Sequence, residues 1–107
     1  MVRFTDKVVL VTGSASGIGE ATARRFGREG AKIVLADQDE GKLHAVAADI
    51  EAADVLTHMA DLSKADACRS LIEAVIQRFG RLDVLVNNAT RTSSGTWTRA
   101  TSRISRP

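Results

Sequence analysis

The chain has 107 residues, with 15 Lys/Arg, 13 Asp/Glu and a single cysteine, Cys68. This length allows one small domain, and a lone cysteine excludes an internal disulfide. The charge is uneven: residues 1–89 carry 11 Lys/Arg and 13 Asp/Glu, whereas residues 90–107 carry four Arg and no acid. The net charge of +2 therefore comes from the tail, which argues against a nucleic-acid-binding face on the domain.

Other classes of protein are also disfavoured. No apolar run approaches the ~18 residues of a membrane span, and no signal peptide precedes the first apolar run. His44 and His58 lack the spacing of metal ligands, so no metal site is predicted. These observations favour a cytoplasmic protein that binds neither membrane nor nucleic acid.

Four apolar runs alternate with three helical patterns along residues 7–87. The predicted strands are residues 7–12, 32–36, 55–59 and 82–87, and the predicted helices are residues 17–29, 40–52 and 64–79. Continuous apolar strands are typical of a parallel sheet that is buried on both faces. The order βαβαβαβ, with right-handed crossovers, predicts one such sheet.

The helical periodicity predicts which side chains face the sheet. The predicted inner faces are Ile18, Ala21, Thr22 and Phe26 in the first helix, Leu43, Val46, Ala47 and Ile50 in the second, and Cys68, Leu71, Ile72, Val75, Ile76 and Phe79 in the third. Asp39 is the predicted N-cap of the second helix, and Ser63 with Asp66 forms a predicted capping box on the third.

A glycine-rich turn joins the first strand to the first helix. Its sequence is Thr-Gly-Ser-Ala-Ser-Gly-Ile-Gly over residues 12–19. We expect Gly13 to allow a tight turn, Gly17 to let a pyrophosphate approach the backbone, and Gly19 to let the helix pack closely. Free N–H groups and the positive dipole end of the helix would then face the phosphates.

Together these motifs resemble the short-chain dehydrogenase/reductase family over residues of about 5–89. The resemblance rests on T-G-x-x-x-G-x-G, on Asp37 after the second strand, on Asp61-Leu62 after the third, and on Asn87-Asn88-Ala89 after the fourth. It implies the N-terminal half of a Rossmann-type doubly wound α/β sheet with strand order 3-2-1-4. It also implies an NAD(P)-dependent oxidoreductase lineage.

The resemblance assigns cofactor-binding residues. These are Gly13, Ser14, Ser16, Gly17, Ile18, Gly19, Asp37, Asp61, Leu62, Asn88 and Ala89. A carboxylate at Asp37 can accept from both adenosine ribose hydroxyls and would repel a 2′-phosphate, so NAD is preferred to NADP. Asp61 and Leu62 resemble the pair that holds the adenine ring. Asn87 and Asn88 resemble residues that brace the sheet as well as border the cofactor.

The resemblance stops after Ala89. Nine of the 18 residues in 90–107 are Ser or Thr, and this composition predicts a disordered tail. The family's reaction uses a serine and a Tyr-x-x-x-Lys motif. No such motif follows Ala89, and the chain has no tyrosine. We therefore assign no catalytic residue. Our hypothesis for the abrupt change is translation in a shifted frame or truncation; a selected basic tail is the alternative.

Three functions remain open from the sequence. The first is a truncated dehydrogenase that binds NAD but is inactive alone. The second is an NAD-responsive binding or regulatory module with a basic tail. The third is an enzyme completed by another chain.

Ending the sheet at the fourth strand would leave an open edge there, so we also expect marginal monomer stability and a tendency to self-associate. The substrate is not encoded in these residues.

Overall fold

The computed structural model describes residues 3–15, 17–88 and 100–103, which form a five-stranded sheet with three helices. The strands are β1 (Val8–Thr12), β2 (Lys32–Asp37), β3 (Asp54–Met59), β4 (Val84–Asn87) and β5 (Ala100–Arg103). The helices are α1 (Gly17–Arg28), α2 (Glu40–Asp49) and α3 (Ala65–Phe79). The sheet order is β3-β2-β1-β4-β5, which confirms the predicted order 3-2-1-4.

Strands β1 to β4 are parallel, with β1 at the centre between β2 and β4. Strand β5 pairs antiparallel with β4, from Val84 opposite Arg103 to Asn87 opposite Ala100. The predicted open edge of β4 is therefore wrong for the described sheet, because β5 occupies that edge. Residues 100–103 lie within the tail predicted to be disordered, and residues 89–99 and 104–107 lie outside the described residues.

The strands bury alternate residues on the two faces of the sheet, as the pleat requires. One apolar cluster packs the sheet against α1 and α2 and contains Val9, Val11, Ile33, Leu35, Ala23, Leu43 and Val46. The other packs it against α3 and contains Val8, Leu10, Val34, Ala36, Leu71 and Val75. Helices therefore lie on both faces, which makes the sheet doubly wound.

Helix α1 buries a face that only partly overlaps the predicted one, since Phe26 packs against the core as predicted but is only partly buried. Its buried residues are Gly19, Ala23 and Gly27, whereas Ile18 is 75% exposed. A Cβ on Gly27 would collide with the backbone carbonyl oxygen of Glu51, so the small residues allow α1 to pack closely against the chain before β3. The prediction was wrong for Ile18 and missed the buried Gly19, Ala23 and Gly27, because it weighted large apolar side chains over small ones.

The start of helix α3 also differs from the prediction. Lys64 is the N-cap and makes no side-chain capping hydrogen bond, so the capping box of Ser63 and Asp66 is wrong. On the same helix Leu71 and Val75 are buried as predicted, but Cys68 is exposed. The predicted cap of α2 is confirmed, because the Lys42 N–H donates to Asp39 Oδ1 at 3.1 Å.

Asp83 fastens the start of β4 to the start of β1. Its carboxylate accepts from the Val8 N–H at 2.8 Å and from two nitrogens of Arg81 at 2.8 and 2.9 Å. Burial alone would raise the pKa of Asp83, but the hydrogen bonds from Arg81 and Val8 outweigh it and the pKa is lowered. The Asp83 N–H in turn donates to the Val8 carbonyl, which completes the link.

Candidate functional site

A cleft of about 550 Å³ opens at the carboxyl ends of β1, β2 and β4. Its polar wall includes Thr12, Gly13, Asp37, Asp61, Asn87 and Asn88. Its apolar wall includes Leu10, Leu62, Leu71, Ile72 and Leu85. The strand order reverses between β1 and β4, and in open parallel sheets such a switch point is the usual place for a ligand.

The turn after β1 depends on two glycines with left-handed backbone conformations. Gly13 has φ +64° and Gly17 has φ +63°, values that side-chain-bearing residues rarely adopt. Among the described residues no atom lies within 4 Å of a Cβ placed on Gly17, so these residues leave the space beside this backbone open to a ligand. The tight turn expected at Gly13 is confirmed by its backbone conformation, whereas the approach of a pyrophosphate to Gly17 stays a prediction.

The first part of this turn is hydrogen-bonded to the end of β2. The Ser14 N–H and hydroxyl lie 3.3 and 3.4 Å from the Ala36 carbonyl oxygen, and the Ser14 side chain is fully buried. The Ser14 hydroxyl therefore points into the protein, and this geometry does not support the predicted ligand contact by that group. Ser16 lies outside the described residues.

The start of α1 presents its first turn beside the cleft. Gly19 is buried, and a Cβ there would collide with the Gly13 carbonyl and lie 2.7 Å from Asn88 Nδ2. The close packing at Gly19 is thus against the turn and the end of β4. Ile18 points to solvent at the N-terminus of the helix, where it is available to a bound molecule.

Asp37 lies where three segments of the site meet. Its Oδ2 accepts from the Ala15 N–H in the glycine-rich turn, and its Oδ1 accepts from the Asp39 N–H, each at 3.0 Å. Its backbone carbonyl accepts from the Ala60 N–H at 3.1 Å. The carboxylate therefore faces the cleft in a fixed orientation, next to Gln38.

Asp61 and Leu62 follow β3 on the other side of the cleft. Asp61 Oδ1 accepts from the Ser63 N–H at 3.1 Å and from the Ser63 hydroxyl at 2.7 Å. Ser63 therefore orients Asp61 instead of capping α3. The Cys68 thiol lies 3.6 Å from the Leu62 carbonyl oxygen and forms part of the cleft wall.

Thr12 connects the ends of β1 and β4, a role that sequence reasoning missed. Its Oγ1 accepts from the Asn88 N–H at 2.9 Å and lies 3.1 Å from Asn87 Oδ1. The threonine of T-G-x-x-x-G-x-G could have signalled this, because it ends one strand opposite the end of another. Asn87 and Asn88 both line the cleft, whereas Ala89 lies outside the described residues.

Five of the eleven predicted binding residues line one cleft: Gly13, Asp37, Asp61, Leu62 and Asn88. Among the described residues, no group of three or more His, Cys, Asp or Glu side chains could hold a metal ion. The same residues include no helix long and apolar enough to cross a membrane. Backbone N–H groups can donate to phosphates, an oriented carboxylate can accept from ribose hydroxyls and an apolar wall can contact a base, which together suit an adenine dinucleotide.

The fold and the cleft define a Rossmann-type nucleotide-binding domain. The family model of short chain dehydrogenases matches residues 7–105, and the chain belongs to that family. The chain is 48% identical over 86 residues to 11-beta-hydroxysteroid dehydrogenase A of Sesamum indicum, a match that covers 78% of this chain and 25% of that protein. It is 47% identical over 91 residues to levodione reductase of Leifsonia aquatica, covering 81% and 34%.

Solved structures agree with this assignment. A short chain dehydrogenase from Bacillus anthracis superposes with a TM-score of 0.78 at 37% identity, over 82% of this chain and 36% of that one. A 3-ketoacyl-(acyl-carrier-protein) reductase from Brucella melitensis, solved in complex with NADH, gives 0.77 at 40% identity, over 81% and 35%. The chain thus spans between a quarter and about a third of the lengths of these relatives.

Proposed function

We propose that the chain binds NAD through the adenosine and pyrophosphate half of the cofactor. The observation that carries this proposal is the position of Asp37, whose oriented carboxylate faces the cleft beside the glycine-rich turn. In this arrangement the N-terminus of α1 would bind the pyrophosphate, and Asp37 would accept from the ribose hydroxyls. Asp61 and Leu62 would border the adenine. NAD itself supplies the hydride-accepting ring of the family's reaction.

The proposal includes a preference for NAD over NADP. A 2′-phosphate would lie next to the Asp37 carboxylate, and like charges at such a distance repel each other. Positions 14, 16 and 38 are Ser, Ser and Gln, so none of them offers a positive charge to compensate. The comparison with an NADH complex is compatible with this preference, but the preference rests on Asp37.

Cys68 provides a direct test of nucleotide binding. It is the only cysteine in the chain, it is exposed, and it lines the cleft. Saturating NAD should slow the alkylation of Cys68 by a maleimide at least fivefold, and NADP at the same concentration should protect it less. The rate is measured by mass spectrometry of the intact chain.

A matched control moves the thiol away from the cleft. The double variant Cys68→Ser, Glu51→Cys places the thiol on an exposed residue before β3, where NAD should not alter its alkylation rate. Equal protection of both positions, or no protection of Cys68 at saturating NAD, would refute the proposed function. Equal protection of Cys68 by NADP would refute only the cofactor preference.

We also propose that this chain does not transfer hydride by itself, and that it acts in the cytoplasm. The family's Tyr-x-x-x-Lys is not among the 107 residues.

The alternative function is an NAD-responsive module whose arginine-rich tail contacts an acidic partner, and the charge of residues 90–107 favours it. Replacing Arg91, Arg99 and Arg106 with Gln removes most of the tail's charge and leaves the sequence of β5 unchanged. These substitutions should leave nucleotide binding intact in either case, but would weaken partner binding only in the second.

A further inference from the structure

The carboxylate of Asp37 makes hydrogen bonds that a purely ligand-binding group would not need. One oxygen accepts from the Ala15 N–H, which belongs to the glycine-rich turn, and the other accepts from the Asp39 N–H. A carboxylate has about four lone-pair positions, so these two bonds leave capacity for ribose hydroxyls. The same side chain can therefore hold the turn and bind the ribose.

The turn needs such an anchor because of its backbone conformation. Gly13 and Gly17 both have positive φ values, and glycine loses more conformational freedom on ordering than other residues. Ser14 binds Ala36 through its N–H and hydroxyl, but at 3.3 and 3.4 Å these contacts are longer than the 3.0 Å bond from Ala15 to Asp37. A hydrogen bond to a charged acceptor is also the stronger kind.

We propose that Asp37 is a positioning residue for the glycine-rich turn, in addition to its role as a ribose acceptor under the proposed function. The carboxylate that selects the ribose also preorganises the segment that binds the pyrophosphate. Removing it therefore weakens binding of the phosphates even when the ligand has no ribose hydroxyls. A substitution at Asp37 would not yield a simple change of preference from NAD to NADP.

A nucleotide without ribose hydroxyls separates the two roles. In 2′,3′-dideoxyadenosine 5′-diphosphate the base and pyrophosphate remain, but nothing is left to donate to Asp37. We expect Asp37→Ala to bind this compound about threefold to tenfold more weakly than the wild type, because part of the population has lost the binding-competent turn. Dissociation constants are measured by isothermal titration calorimetry on the full chain.

The loss of the negative charge at Asp37 would have the opposite effect on binding of the dideoxynucleotide. If Asp37 only accepts from ribose, Asp37→Ala removes a negative charge near the phosphates and binds the dideoxynucleotide equally well or more tightly. That result would overturn the proposal. Asp37→Asn lacks the charge but keeps one oxygen that can accept from the Ala15 N–H, so it should bind the dideoxynucleotide more tightly than Asp37→Ala. Asp49→Ala removes an exposed carboxylate elsewhere and should match the wild type.

Amide hydrogen exchange tests the turn without any ligand. In Asp37→Ala the Ala15 amide should lose at least tenfold protection, whereas the amides of β1 should keep theirs, which shows that the domain remains folded. Unchanged protection at Ala15 would overturn the proposal. If the wild type bound neither NAD nor the dideoxynucleotide, the proposed function would fail, and the exchange at Ala15 would still decide the role of Asp37 in the turn.

Discussion

Gly19 shows how a single missing side chain determines the shape of the site. A Cβ at this position would collide with the Gly13 carbonyl and press on Asn88 Nδ2. The turn, the first turn of α1 and the end of β4 therefore meet at a point that only glycine can occupy. The sequence predicted close packing at Gly19, but the partner proved to be Asn88 and the turn, because a sequence does not show which distant residue closes the contact.

We expect Gly19→Ala to destabilise the fold by about 1–3 kcal/mol, the usual effect of overpacking. Gly41→Ala is the matched control. Gly41 is helical and exposed, and its nearest contact would be Asp39 Oδ1 at 3.8 Å, so the added methyl should stabilise the chain by about 0.5–1 kcal/mol. Urea denaturation measures both changes. Equal effects of the two substitutions would contradict the close approach at Gly19.

The pH dependence of stability should report on Asp83. Its pKa is lower in the folded state, so its carboxylate stabilises the fold above the unfolded pKa of about 3.9 and that contribution is lost as the pH falls through the folded value. Asp83→Asn should cost about 1.5–3 kcal/mol at pH 7, and the difference from the wild type should narrow below about pH 4.

Urea unfolding of both proteins between pH 3 and pH 7 measures this difference. Asp66→Asn is the control, because the Asp66 side chain is 93% exposed and its ion pair with Arg69 should contribute less than about 1 kcal/mol. A wild-type advantage over Asp83→Asn that stays constant down to pH 3 would show that the charge of Asp83 is not what stabilises the link.

At the scale of elements, the ends of β1 and β4 are joined by the hydroxyl of Thr12. Thr12→Val keeps the shape of the side chain but leaves the Asn88 N–H without this acceptor, so we expect a loss of about 1–3 kcal/mol and faster amide exchange at Asn88. Thr12→Ser retains the hydroxyl and should protect the Asn88 amide almost as well as the wild type. NMR exchange rates distinguish the variants, and a protected amide in Thr12→Val would contradict this role.

The elements themselves were largely predictable because their periodicity is local. Helix α2 buries Leu43 and Val46 as its spacing indicates, and Asp39 caps it. Two details were not predictable. The small residues that α1 buries are not a strong apolar signal, and Ser63 could serve either as a cap for α3 or as a partner of Asp61. Only the three-dimensional arrangement decides between such alternatives.

At the scale of the whole molecule, the strand order could be predicted because four motifs resemble those of the family and occur in the same order along the chain. The antiparallel strand β5 could not be predicted, because residues 100–103 have no alternating pattern that would indicate a strand. The hydrogen bond from the Ala15 N–H to Asp37 could not be predicted from the sequence either. That both residues lie at the same edge of the sheet could be predicted, because each follows a strand of one parallel sheet.

Ligand linkage should be visible in the thermal stability of the whole chain. A ligand at 100 times its dissociation constant stabilises a fold by about 2.7 kcal/mol, which for a domain of this size raises Tm by about 10 °C or more. We expect ADP to give most of the shift that NAD gives, and nicotinamide mononucleotide to give little, since the described cleft would hold the adenosine half. Differential scanning calorimetry measures the shifts, and a larger shift with the mononucleotide would contradict this arrangement.

The pairing of β1 with β4 also has a consequence for synthesis of the chain. Val8 and Asp83 are hydrogen-bonded across 75 positions of sequence. At 5–20 residues per second, β1 leaves the ribosome roughly 4–15 s before β4 has been synthesised. During that interval the central strand of the finished sheet is an edge strand, with four apolar residues and an unpaired row of N–H and C=O groups. The nascent chain is therefore most exposed to mispairing and chaperone binding at the segment that is most deeply buried once folding is complete.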